Sequence, residues 1–258
     1  MSLRDTFGEQ LKQIPQSLLR RFGYQIQKLP HRLVSVKRVV GNMPCFLEDI
    51  KARGFSPRTI VDVGAHRGDW SRMAAEIFPQ ASYIMIEPQE EMGPDIEKFV
   101  AAFPKARWIK AGAGATEAKL DLTIWDDFAG SSFLPDETAP VEGKKRRTVD
   151  IVTLDSLFPG TSGWPDLVKL DVQGFELEAL KGAETLFGHA ELFILEVSLF
   201  KFMPNMPLVS EVVAFMDQRG YVLYDLPGYV RRPCDAALGQ VDMAFARRDG
   251  SLRRSQEW

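Results

Sequence analysis

The residues of this chain best suited to chemistry are carboxylates that end or interrupt apolar runs. Asp171 closes Leu167-Val168-Lys169-Leu170, Glu196 interrupts Leu192-Phe193-Ile194-Leu195, and Glu87, followed by Pro88, closes Ser82-Tyr83-Ile84-Met85-Ile86. A carboxylate accepts hydrogen bonds on two oxygens, so one at a strand end suits a ribose diol, and one beside a reacting hydroxyl can orient it or take its proton. The stretch Val61-Asp62-Val63-Gly64-Ala65-His66-Arg67-Gly68 adds a glycine turn, where a ligand can approach backbone amides near a helix start. Its Gly64-x-x-x-Gly68 spacing departs from G-x-G-x-x-G, which argues against a dinucleotide pyrophosphate and for a nucleoside with a zwitterionic tail. A plain strand-to-helix turn is the alternative for this loop taken alone.

Elements must hold these groups together, and the pattern supplies them. From Pro57 onward, strands near 59–64, 82–87 and 107–111 alternate with helices near 69–78 and 90–102, which predicts a parallel sheet covered on both faces. Strands near 167–171 and 192–197 follow, the second apolar enough for a central strand. Between them, a helix carries Phe175, Leu177, Ala179, Leu180, Ala183 and Leu186. A helix near 208–219 ends at Gly220, a strand begins at Tyr221, and a last strand near 241–246 follows without a helix, so it must run antiparallel.

With these motifs in order, the sequence resembles the FkbM family of S-adenosylmethionine-dependent methyltransferases from about Thr59 to Arg247. The turn from Val61 to Gly68, the Glu87-Pro88 pair, the segment Val152-Thr153-Leu154-Asp155-Ser156-Leu157 and the block Lys169 to Glu176 carry the likeness. Two positions depart from the usual pattern: His66 stands where asparagine is common, and Gln173 where glutamate is common. The resemblance implies a doubly wound, mostly parallel seven-stranded Rossmann-like α/β sheet with six parallel strands and one antiparallel. It also implies S-adenosylmethionine as cofactor, at Asp62, Gly64, Ala65, His66, Gly68, Glu87, Pro88, Asp171 and Val172.

Asp171 and Glu196 are the candidate catalytic groups for methyl transfer to a hydroxyl of a sugar, glycan or secondary metabolite. Asp171 is read as base or acceptor-orienting carboxylate, with a helix N-cap as its structural alternative. The pair could instead hold Mg²⁺, but without a further acidic cluster nearby no metal ligand is assigned and metal-free transfer is preferred. Gly64 is expected to leave space for the cofactor, so that a β-branched substitute blocks binding and spares the fold. A nucleotide-dependent oxidoreductase and a catalytically silent cofactor-binding module are the competing functions.

The rest of the chain sets boundaries. A helical extension spans 1–55, the methyltransferase domain 56–248 and a fraying tail 249–258. In the extension, Leu3, Phe7, Leu11 and Ile14, then Leu18, Leu19 and Phe22, predict two helices broken at Pro15. Its Arg20, Arg21, Lys28, Arg32, Lys37 and Arg38 suit a solvated helix face, with an anionic membrane surface as the alternative, and the helices are expected to form a lid or a homodimer contact. Strands around 120–124 and 149–151 flank a mobile loop, in which Gly130-Ser131-Ser132-Phe133 could touch the acceptor; Lys144-Lys145-Arg146-Arg147 is a solvated edge. A net charge of −3 excludes a bulk nucleic-acid binder, and two distant cysteines support neither a disulfide framework nor a zinc cluster. With no apolar run of spanning length and no secretory core, a cytoplasmic protein is expected.

Overall fold

The structure, a computed structural model, describes residues 38–126, 128–134, 144–160 and 163–255. The helices read in residues 1–37, with their basic positions up to Lys37, lie outside the described residues. The first described helix, α1 (Met43–Ala52), starts where Pro44 pre-sets the backbone and the Asn42 side chain accepts the Cys45 N–H at 2.9 Å. It buries Phe46, Leu47 and Ile50.

Alternation then builds the domain: β1 (Thr59–Val63), α2 (Asp69–Ile77), β2 (Ser82–Ile86), α3 (Gly93–Ala102), β3 (Ala106–Ile109), β4 (Gly112–Ala113), β5 (Ala118–Trp125), β6 (Lys144–Val152), β7 (Leu167–Leu170), α4 (Glu176–Lys181), β8 (Leu192–Ser198), α5 (Val209–Gln218), β9 (Tyr221–Arg231) and β10 (Leu238–Arg247). The main sheet has seven strands in the order β3-β2-β1-β7-β8-β10-β9. Every pairing from β3 to β8 is parallel, and β10 runs antiparallel to both its neighbours. This is the doubly wound, Rossmann-like arrangement with one reversed strand that the sequence predicts.

The two-residue period of the strands sorts the core into two layers. Ile60, Tyr83, Met85, Leu167 and Ile194 face α1, α2 and α3, whereas Val61, Ile84, Val168, Phe193 and Phe245 face α4 and α5. Burial on both faces explains why these strands read as continuous apolar runs. Asp62 pairs in register with Lys169, so both charged side chains enter the first of these layers.

Two features differ from the sequence reading, and one is added to it. The helix after Asp171 is short: beyond Lys181 the chain closes in i→i−3 turns, Gly182 to Ala179 and Leu186 to Ala183. A side chain at Gly182 would lie 2.1 Å from the Gly114 carbonyl, so the two backbones meet where the helix ends and the position takes glycine. The strands around 120 and 150 pair with each other, not with the main sheet, in a three-stranded sheet ordered β4-β6-β5. Residues 249–255 do not fray, because Glu191 accepts the Leu252 N–H at 2.8 Å and the Ser251 hydroxyl at 2.9 Å.

In the basic run, Lys145 and Arg146 are exposed as expected, but Arg147 reaches out of the small sheet to Glu91 at 2.9 and 2.6 Å. That bidentate pair holds the Glu91 carboxyl down at about 2. Among the described residues, no helix is long and apolar enough to cross a membrane.

Candidate active site

Strand ends β1, β2, β7 and β8 converge on a cavity of about 370 Å³, roofed by the small sheet and the segment 128–133. Gly64, His66, Glu87, Pro88, Asp171, Val172 and Glu196 line it together, although 132 residues separate Gly64 from Glu196 in the chain. Asp62, Ala65 and Gly68 do not line it. Asp62 lies beneath, only 1% exposed, accepting the Ser71 hydroxyl at 2.7 Å.

The glycine turn folds by left-handed backbone at Gly64, His66 and Gly68, with φ of 73°, 48° and 78°. His66 is one of the side-chain-bearing residues in this region of φ, which asparagine and histidine tolerate better than most. A Cβ at Gly64 would lie 1.9 Å from the Asp171 carbonyl oxygen. The residue is therefore glycine because the β1 and β7 loops touch there, and the expectation that a β-branched substitute would spare the fold is corrected.

Glu87 is 3% exposed, and each of its oxygens holds the loop in place: Oε2 accepts the His66 N–H at 2.8 Å and Oε1 the Gln89 N–H at 2.9 Å. Burial raises its pKa against the pull of these two amides. A carboxylate oxygen has a second lone pair, so Glu87 retains acceptor capacity toward the cavity. Gln89 continues the clasp, donating to the Phe128 carbonyl at 3.1 Å and accepting the Ser131 hydroxyl at 3.1 Å, and Ser132 Oγ donates to the Gln173 carbonyl at 2.8 Å. The Gly130–Phe133 stretch thus forms cavity wall, stitched to both halves of the site; residues 135–143 of the same loop lie outside the described residues. The imidazole of His66 is held below its usual pKa by burial and by the Arg67 charge, and its Nε2 is buried without a hydrogen-bond partner among the described residues.

The half of the cavity around Asp171 and Glu196 rests on a buried lysine. Lys169 Nζ lies 3.1 Å from Asp171 Oδ2 and 3.8 Å from Asp62 Oδ1, with the Trp70 ring 5.9 Å away. Burial opposes its charge, but the two carboxylates prevail and raise its pKa, so it stays an ammonium. For Asp171, burial favours the neutral form, but the Lys169 charge and the hydrogen bonds to the carboxylate together outweigh it and hold the carboxyl below its usual value. Glu196 goes the other way: burial first, then the Asp171 charge, pushes it up to about 9. Asp242, opposite Glu196 in the β8–β10 register, is pushed by burial to about 6. The surroundings therefore push the two catalytic candidates apart, Asp171 toward the ionised form and Glu196 toward the protonated one, the separation of roles an acid–base site needs.

Asp171 does not cap the following helix. α4 has no side-chain cap, and Glu176 instead turns back to accept the Val172 and Gly174 N–H groups, both at 3.1 Å. Burial drives Glu176 to about 7 despite those donors. Gln173, in left-handed backbone with φ 50°, donates to Asp171 Oδ1 at 2.9 Å and to Glu196 Oε2 at 2.7 Å. Sequence reading missed Gln240, whose Nε2 donates to the same Glu196 oxygen at 2.9 Å. Its signal was present: Gln240 and Asp242 are polar residues two apart at the start of a strand whose next members on that face are Ala244 and Ala246.

Residues 62–223 match the family model described as the methyltransferase FkbM domain. The chain belongs to the FkbM methyltransferase family. This family member is 26% identical to methyltransferase sdnD of Sordaria araneosa over 219 residues, 73% of this chain and 81% of that protein. Among solved structures it is similar to methyltransferase FkbM from Methylobacillus flagellatus, with 16% identity, a TM-score of 0.47 and coverage of 73% of this chain. The match spans only 44% of that longer protein. Another is 1,6-didemethyltoxoflavin-N1-methyltransferase of Burkholderia thailandensis, solved with 1,6-didemethyltoxoflavin and S-adenosylhomocysteine, at 12% identity and a TM-score of 0.44, covering 80% of this chain and 77% of that one. Family membership sets aside the oxidoreductase alternative.

Proposed function

We propose that this methyltransferase uses S-adenosylmethionine and transfers its methyl group to a hydroxyl of a sugar, glycan or secondary metabolite. The observation that carries the reading is the single cavity joining Glu87 at one end to Asp171 and Glu196 at the other. The donor set fits the cofactor: Glu87 has acceptor capacity for a ribose diol, Phe128 and Phe133 offer apolar ring faces for a base, and His66 brings an imidazole nitrogen unpaired among the described residues. Asp62, Ala65 and Gly68 support the turn from below in this reading. S-adenosylmethionine, when bound, supplies an electrophilic methyl group on a sulfonium.

The chain's own residues do the rest. Asp171, kept ionised by Lys169, orients the acceptor hydroxyl and takes its proton, leaving the electron pair on the acceptor oxygen for the new carbon–oxygen bond. Glu196 stays protonated beside it, so the pair carries one negative charge where a second would repel the developing oxyanion. The segment 128–133 walls the cavity from water. No Mg²⁺ step is required, because Lys169 already supplies the positive charge that keeps the base ionised.

The reading is tested by thermal shift with S-adenosylmethionine, S-adenosylhomocysteine and NAD, followed by mass-spectrometric identification of labelled products after incubation with labelled cofactor and a panel of hydroxylated acceptors. Stabilisation by the two adenosyl ligands and methylated hydroxyls among the products are expected. Methylation confined to nitrogen or carbon would overturn the hydroxyl assignment, and loss of turnover in EDTA with recovery in Mg²⁺ the metal-free mechanism.

A further inference from the structure

Two primary amides from different strands converge on one oxygen of Glu196. Gln173 arrives from the β7 strand end at 2.7 Å and Gln240 from antiparallel β10 at 2.9 Å, both through Nε2 and both to Oε2. An oxygen that accepts two N–H donors is poorly placed to carry a proton itself. A proton on this carboxyl group then belongs on Oε1, and Gln173 Nε2 also donates to Asp171 Oδ1 at 2.9 Å, so one amide bridges the two carboxyl groups.

We propose that Gln240 is a positioning residue for methyl transfer: with Gln173 it pins Glu196 Oε2, so that this carboxyl group is held in one orientation beside the Gln173–Asp171 pair and Oε1 is left as the oxygen that can carry a proton. This rests on the reading of Asp171 as the group that takes the acceptor's proton. It also gives the reversed strand a task. β10 pairs with β8 so that Gln240 lies opposite Ser198 and Asp242 opposite Glu196, and a strand ending elsewhere would not deliver an amide to that oxygen. The charged groups around Glu196 are Asp171 and Lys169 from the β7 segment and Asp242 from β10, with Asp62 of β1 beyond Lys169. Gln173 and Gln240 stabilise the ionised form of Glu196 more than the neutral one, so removing either must make its proton harder to lose.

Infrared titration of the full chain carrying ¹³C-labelled glutamate, with Glu196→Gln as the reference, reads this directly. In the wild type a protonated-carboxyl signal that the reference lacks should persist through pH 7. In Gln240→Met its loss should move upward by about one pH unit, the effect of a missing hydrogen bond to a charged group. Gln173→Met removes the other donor to the same oxygen and must move the titration the same way, which keeps the test open should Gln240→Met not fold. A merely structural Gln240 would lower the melting temperature and leave the titration where it was. Unmoved titrations in both variants, or identical wild-type and Glu196→Gln spectra at pH 7, overturn the proposal. Shifted titrations with full turnover in Asp171→Asn would instead uphold the pinning of Glu196 and remove Asp171 as the base.

Discussion

The Lys169 ammonium lies 3.1 Å from the carboxylate of Asp171, two residues further along the chain, where β7 has just ended. The two-residue spacing brings them together, and burial makes each depend on the other for its charge. Replacing Asp171 by Asn therefore has two consequences. Turnover should fall by about 10²–10⁴, the range for a general base, while cofactor affinity stays nearly intact by calorimetry. The melting temperature should also drop, since Lys169 loses the nearer of its two ion-pair partners. Full turnover would remove Asp171 from catalysis.

Glu87→Gln should weaken S-adenosylhomocysteine by roughly 1.5–3 kcal/mol in calorimetry, the range for hydrogen bonds to a charged group. An adenine analogue without the ribose should lose nothing. Because Glu87 also holds the His66 and Gln89 amides, equal weakening of both ligands would assign it to loop support alone.

Gly64→Ala should destabilise the folded chain by more than about 3 kcal/mol in denaturant titration. The added carbon would lie 1.9 Å from backbone that cannot move aside, at a φ of 73°. Normal stability with lost cofactor binding would restore the reading of Gly64 as ligand space.

Glu176 sets a pH dependence. Its folded value of about 7 lies above the unfolded carboxyl range, so the folded chain holds its proton more tightly. That contribution to stability is complete below about pH 4.5 and is lost as the pH rises through 7. Denaturation at pH 5 and pH 8 should show the wild type losing stability between them and Glu176→Gln losing less. Equal slopes would mean that Glu176 is already ionised in the folded chain.

Periodicity and punctuation made the main sheet legible, down to the reversed last strand, because alternation and missing crossover helices are local facts of the sequence. Glu87, Asp171 and Glu196 were legible for the same reason: each follows or interrupts an apolar run, and a strand's carboxyl end is the ligand edge of an open sheet. What only the tertiary structure decided is where these groups point and what charge they bear. Asp62 and Gly64 sit in one motif, yet pleating sends Asp62 under the sheet, and Gly64 owes its identity to a carbonyl more than a hundred residues away. Asp171 and Glu196 look alike in sequence, but Lys169 sits beside one, so burial protonates the other. Gln240 acquires meaning only once β10 lies against β8. Charge state and hydrogen-bond direction depend on neighbours across strands, and no spacing along the chain encodes them.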